Sequence, residues 1–172
     1  SYSYNADGQI TKKIEQSPNG TRLRTTTFVY NAEPGLHHGD LIEETLPDGT
    51  TKSWTYPTTV DLPSRLTVLY PNDPIARISS WTYDVFWNLR SSTDPLGRVT
   101  QYLPDARGRL LTLTAPADDS GVSPVTSFQY GSFGDVVLVT LPNLRTRGYG
   151  YDPATDDLTS TTDELGNTTN YA

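Results

Sequence analysis

His37-His38, with Asp40 close behind, is the first place in this chain where residue types suggest chemistry. An imidazole beside a carboxylate can act as a general base, and paired imidazoles are part of many zinc sets. Adjacent side chains on an extended chain point apart, however, and no third ligand falls in pattern. The stretch therefore reads as a solvated loop, with no metal assigned. A serine triad has no support, because no nucleophile elbow is present. Asp118-Asp119 and the turn holding Asp152, Asp156 and Asp157 are the acidic clusters. Calcium takes about six to eight oxygens in defined geometry. Neither cluster has alternating acids followed by a distant Glu, so both read as solvated turn acids. Arg145 and Arg147, beside Tyr149 and Tyr151, would suit an anionic glycan or nucleic acid. The formal charge of −7 and the scattered bases argue against nucleic acid, so a cation–π or salt-bridge role is favoured. Cysteine is absent, which excludes disulfides and thiolate metal sites. No cofactor is implied, and an enzyme is not expected.

The strongest pattern is aromatic. Tyrosine closes strand-like runs at Tyr4, Tyr30, Tyr56, Tyr83, Tyr102, Tyr130, Tyr151 and Tyr171, at spacings of 19 to 28 residues. In six of these eight cases another aromatic stands two places earlier: Tyr2, Phe28, Trp54, Trp81, Phe128 and Tyr149. Residues two apart on a strand share a face. Aromatics on successive returning strands would then stack into a structural ladder, worth about 0.2–1 kcal/mol per cross-strand pair. Buried tyrosine hydroxyls need partners, which the turn backbone of the next repeat would supply. An alternative use is stacking on sugars, for which Trp54, Trp81 and Trp87 are the candidates.

These residues must be placed by turns and strands. After most anchor tyrosines comes a turn such as Asn5-Ala6-Asp7-Gly8 or Gly131-Ser132-Phe133-Gly134. An outgoing strand follows, then a tighter turn: Ser17-Pro18-Asn19-Gly20, Leu46-Pro47-Asp48-Gly49, Asp94-Pro95-Leu96-Gly97 or Asp163-Glu164-Leu165-Gly166. Asn and Asp bond their own neighbouring backbone, and Pro presets a corner. The return strand then carries the aromatic pair. Helical periodicity is absent. Hydrophobic content of 34% fits strands that each bury one face. The prediction is an all-β protein: repeated antiparallel β-hairpins forming a twisted or spiralling strip.

Residues 1–172 read as one array. The hairpins are irregular over 1–82, with a loop insertion near 57–76 where Pro63, Pro71 and Pro74 gather, and regular over 83–172. Both ends lie inside the pattern, so the segment is expected to be part of a longer protein. Open sheet edges would invite self-association. No apolar run is long enough to span a bilayer, so membrane insertion is not expected. Asn19-Gly20-Thr21 and Asn167-Thr168-Thr169 fit the glycosylation acceptor pattern.

Several segments resemble the tyrosine-aspartate turn of RHS/YD repeats. They are Tyr83-Asp84 followed by Leu89, Tyr151-Asp152 followed by Leu158, and Asp105-Ala106-Arg107-Gly108-Arg109-Leu110. Asp94 to Tyr102 and Asp163 to Tyr171 are similar to the part of that repeat between turns. The resemblance is densest from residue 83 onward. It implies a wall segment of a hollow shell that encloses a toxic C-terminal region in bacterial toxin complexes and polymorphic Rhs toxins; teneurins use a similar shell in cell adhesion. Its partners would be the remaining repeats and C-terminal cargo of the parent protein, at a secreted or cell-surface location, most simply bacterial. Some family shells end in an autoproteolytic region related to Asp-Pro-x-Gly. Asp94-Pro95-Leu96-Gly97 leads straight into a strand and reads as an ordinary turn. The alternative function is a carbohydrate- or cell-surface-binding repeat module.

Overall fold

The computed structural model describes residues 1–17, 20 and 23–171. The Pro18-Asn19 corner lies outside the described residues, as do Asn19 and Thr21 of the Asn19-Gly20-Thr21 acceptor pattern. The described chain holds fifteen strands and no helix, and the strands follow one another in sequence order in an antiparallel sheet. Among the described residues, no helix is long and apolar enough to cross a membrane.

The chain divides into two compact units, Ser1–Trp87 with Thr93–Gly97, and Asn88–Ser92 with Arg98–Ala172. The first carries β1 (Tyr2–Tyr4), β2 (Ile10–Gln16), β3 (Leu23–Tyr30), β4 (Leu41–Thr45), β5 (Thr51–Thr55), β6 (Arg65–Tyr70) and β7 (Asp73–Tyr83). The second carries most of β8 (Leu89–Thr93), then β9 (Val99–Pro104), β10 (Leu110–Thr114) and β11 (Val125–Tyr130). It ends with β12 (Val136–Thr140), β13 (Thr146–Tyr151), β14 (Leu158–Thr162) and β15 (Thr168–Asn170).

The span 57–76 is only partly a loop. Residues 57–64 are irregular, but Arg65–Tyr70 and Asp73 onward form a hairpin that closes at Tyr70 opposite Asp73. The prolines permit this because Pro71 occupies the turn and Pro74 stands at the second residue of β7. Proline interrupts a ladder only where its missing N–H is needed. Val60, at 6% exposure, is the one buried apolar residue among those described, and it comes from the loop. The most buried polar residues, Thr26 and Thr50, lie in the same unit. Elsewhere most side chains are half-buried or exposed, as in a sheet without a thick core.

Candidate functional site

The anchor tyrosines act through their hydroxyls. Tyr30 donates to the carbonyl of Ile10 (3.0 Å), Tyr56 to Leu41 (3.0 Å), Tyr130 to Leu110 (2.8 Å) and Tyr151 to Val136 (3.3 Å). Each acceptor is the first residue of the outgoing strand in the same hairpin. Tyr83 donates to Pro63 (3.0 Å), just ahead of β6. The partner is therefore the start of the tyrosine's own hairpin and not the turn of the next repeat. A hydroxyl at the end of the return strand clasps the base of the hairpin, and the bond closes a loop of 15 to 20 residues.

The register shows a shared construction. A bulge falls at Tyr4, Tyr30, Tyr130 and Tyr151, which pair with Ile10, Leu41, Val136 and Leu158. The next residue then donates its N–H across the turn: Asn5 to Gln9, Asn31 to Asp40, Gly131 to Asp135 and Asp152 to Asp157, each at 2.8–2.9 Å. In β9 the residue in this register is Pro104, opposite Leu110, with Asp105 donating to Arg109 at 2.8 Å. Tyr102 thus stands two residues short of the anchor position and is equivalent to Trp54 and Tyr149, three residues into their strands. Tyr171 is likewise three residues beyond the start of β15. These two share hydroxyl bonds with Ser92 (3.2 Å) and Thr161 (3.1 Å) in place of a backbone carbonyl. With Pro104 as the anchor, the spacings from Tyr4 to Tyr151 become 26, 26, 27, 21, 26 and 21.

Among the described residues of each unit, no stacking contact joins anchor rings on successive return strands. Return strands alternate with outgoing strands, so two strand spacings, about 9.5 Å, separate successive return strands. Phe28 faces Glu44, Trp54 faces Leu66 and Phe128 faces Val139 across the strand pairs. The ring contact found among the described residues is His37 against Tyr56, centroids 5.2 Å apart. Trp54 and Trp81 are half-buried in β5 and β7, while Trp87 is on the turn after β7. Among the described residues, Trp87, Leu144 and Asp156 are the non-glycine residues with positive φ (68°, 64° and 63°). Trp87 and Asp156 stand where the Asp105 turn has Gly108, and Leu144 stands where the Asp94 turn has Gly97. Such conformations cost a side-chain-bearing residue roughly 1–2 kcal/mol.

The acids brace turns. Asp105 accepts N–H bonds from Arg107 (2.8 Å) and Arg109 (2.9 Å), and Asp163 does the same for Leu165 and Asn167. Asp48 and Asp94 cap their tight turns through Thr50 and Leu96, so Asp94-Pro95-Leu96-Gly97 is an ordinary turn. Hydrogen bonding from Asn167 and backbone amides holds the Asp163 carboxyl below its ordinary range. Desolvation pushes Asp105 upward, but the Arg109 and Arg107 bonds and the guanidinium outweigh it, and its pKa is lowered. Asp118 is lowered by Ser120 and Val122. Asp156 moves upward through desolvation and its bond to Asp135. Arg147 pairs with Glu164 (Nε to Oε1, 2.7 Å), whereas among the described residues cation–π geometry occurs at Arg109 over Tyr130, 4.5 Å from the centroid, and at Arg77 over Tyr70, 5.4 Å. Arg109 also bonds Asp105 at 2.7 Å, and its Nη1 is buried without a hydrogen-bond partner.

His37 is not a solvated loop residue. Its side chain is 14% exposed, with Nδ1 3.0 Å from Asp40 Oδ2 and 3.5 Å from Asp61 Oδ1. Its Nε2 is 2.6 Å from the Pro57 carbonyl. Desolvation disfavours the imidazolium, but the Pro57 carbonyl and the two carboxylates outweigh it and raise the His37 pKa. Sequence spacing missed the third group because Asp61 arrives from the 57–64 loop. His38 is exposed.

RHS Repeat is the family that matches, over residues 88–120. The crystal structure of TcdB2-TccC3 without its hypervariable C-terminal region aligns with 100% of this chain and 10% of its own, at TM-score 0.78 and 14% identity. The structure of TcdB2-TccC3-Cdc42 aligns with 92% of this chain and 9% of its own, at TM-score 0.75 and 13% identity. The Photorhabdus luminescens Tc holotoxin pore, with a mutated TccC3, aligns with 100% of this chain and 10% of its own, at TM-score 0.76 and 15% identity. The chain thus spans no more than 10% of the length of these solved chains. At such identities the likeness is one of fold. A search of the curated proteins finds no match.

Proposed function

We propose, from the RHS Repeat match over residues 88–120 and the shared fold, that this chain is an RHS/YD-type repeat segment, a non-catalytic wall segment that screens C-terminal cargo of its parent protein. The observation that carries this reading is the hydroxyl-to-carbonyl clasp repeated at Tyr30, Tyr56, Tyr83, Tyr130 and Tyr151. A wall one sheet thick cannot rely on a deep core, and here Val60 is the one buried apolar residue described. Each hairpin is instead closed at its own base, so stability is distributed along the strip. Asp105 and Asp163 brace their turns and Arg147 pairs with Glu164, roles that fit a scaffold. A secreted bacterial protein is the matching setting.

The test is protease protection in the parent protein. Limited proteolysis is compared between the native protein and a variant carrying Tyr130→Phe and Tyr151→Phe. Faster release or digestion of the C-terminal region in the variant supports the reading. A C-terminal region equally accessible in both proteins, from the earliest time points, contradicts it.

A further inference from the structure

We infer that His37, Asp40 and Asp61 form a binding site for one divalent transition-metal ion, with Zn²⁺ as the ion of choice. The donor atoms come from two separate segments, the turn at 31–40 and the loop at 57–64, and all lie within 4.8 Å of one another. Zinc sits about 2.0–2.2 Å from nitrogen and oxygen ligands, so ligand atoms of a tetrahedral site stand about 3.4 Å apart. The distances from Nδ1 to Asp40 and Asp61, 3.0 and 3.5 Å, bracket that value.

The imidazole is oriented for this task. A carbonyl oxygen can only accept, so the 2.6 Å contact with Pro57 places a hydrogen on Nε2. In the neutral ring, Nδ1 then carries a lone pair facing two carboxylates that also only accept. A backbone carbonyl behind the ring is the usual outer partner of a metal-bound histidine. Tyr56 packs against the ring and is itself fixed by its bond to Leu41.

Charge favours a metal over a proton. A proton on Nδ1 forms one strong bond and leaves the cluster with a net negative charge. A divalent ion offers a bond to all three donors and balances both carboxylates. The mixed nitrogen and oxygen set suits zinc, whereas calcium and magnesium take oxygen. Asp61 is 43% exposed, so the remaining coordination position opens to water. The ion would tie the 57–64 loop to the 31–40 turn.

The experiment titrates the full chain with Zn²⁺ against a chromophoric chelator at neutral pH and records the unfolding midpoint with and without zinc. One-to-one binding is expected, with a higher midpoint in zinc. Asp61→Asn and His37→Gln should each weaken binding by at least about tenfold and abolish the rise. His38→Ala should bind as the native chain does. Near-UV circular dichroism checks that each variant is folded, and nitrogen NMR follows His37 in the native chain. Absence of saturable binding by the folded native chain overturns the site. So does native affinity in Asp61→Asn, loss of binding in His38→Ala, or a His37 Nδ1 that stays protonated in excess zinc.

Discussion

The hairpin of β12 and β13 and the hairpin of β14 and β15 share a tight turn and an outgoing strand of five residues. They differ in where tyrosine stands. Tyr151 lies five residues beyond the start of its return strand and reaches the Val136 carbonyl. Tyr171 lies three residues beyond the start of its own and bonds the Thr161 hydroxyl. A shift of two residues keeps the face and changes the partner. Tyrosine alone therefore does not mark the base of a hairpin; its register with the bulge does. The β8 and β9 hairpin repeats the second arrangement through Tyr102 and Ser92, with Pro104 in the anchor place.

The largest separation between the two kinds of tyrosine is expected on truncation. Tyr130→Ala removes a clasp, a half-buried ring and the surface under Arg109, and should cost about 2–3 kcal/mol, below the full range for a buried aromatic. Tyr102→Ala removes a half-buried ring and a bond between hydroxyls, so it should cost less. Urea unfolding of both variants measures the gap. Similar losses would erase the distinction.

Turn glycines provide a second contrast. Leu144 has φ of 64° and is 83% exposed, whereas Gly97 holds the equivalent corner. Leu144→Gly should stabilise the fold by about 1 kcal/mol, and Gly97→Leu should destabilise it by about as much. Thermal and urea unfolding should agree in sign.

The smallest effect concerns pH. Asp48, Asp105, Asp118 and Asp163 have lowered pKa values, so their stabilising bonds are complete above the unfolded carboxylate value and fade as pH falls through the folded values. Asp156 has a raised value and contributes in the opposite sense, being lost as pH rises through its folded value. Stability should fall below about pH 4. Asp163→Asn should blunt that acid loss, whereas Asp156→Asn should leave it in place.

Much of this organisation was legible in the residues. The Pro and Asx-Gly corners located the turns, and alternation located the strands, because both signals are local. In the sequence Tyr102 and Tyr171 align with the anchors because a two-residue shift preserves alternation. Only pairing with Leu110 exposes Pro104 as the anchor. The tyrosine acceptors lie 15 to 20 residues away, beyond any local pattern. Asp61 carries no local signal for the same reason: it joins His37 through the fold of the 57–64 loop, whose Val60 is buried.

The most direct test of the account is the removal of a single oxygen. Tyr130→Phe and Tyr102→Phe keep both rings and delete both hydroxyls. By urea unfolding, Tyr130→Phe should lose about 1 kcal/mol, while Tyr102→Phe should lose clearly less, because Ser92 can re-pair with water. Equal losses, or no loss at Tyr130, would contradict the claim that the hydroxyl-to-carbonyl clasp closes the hairpin.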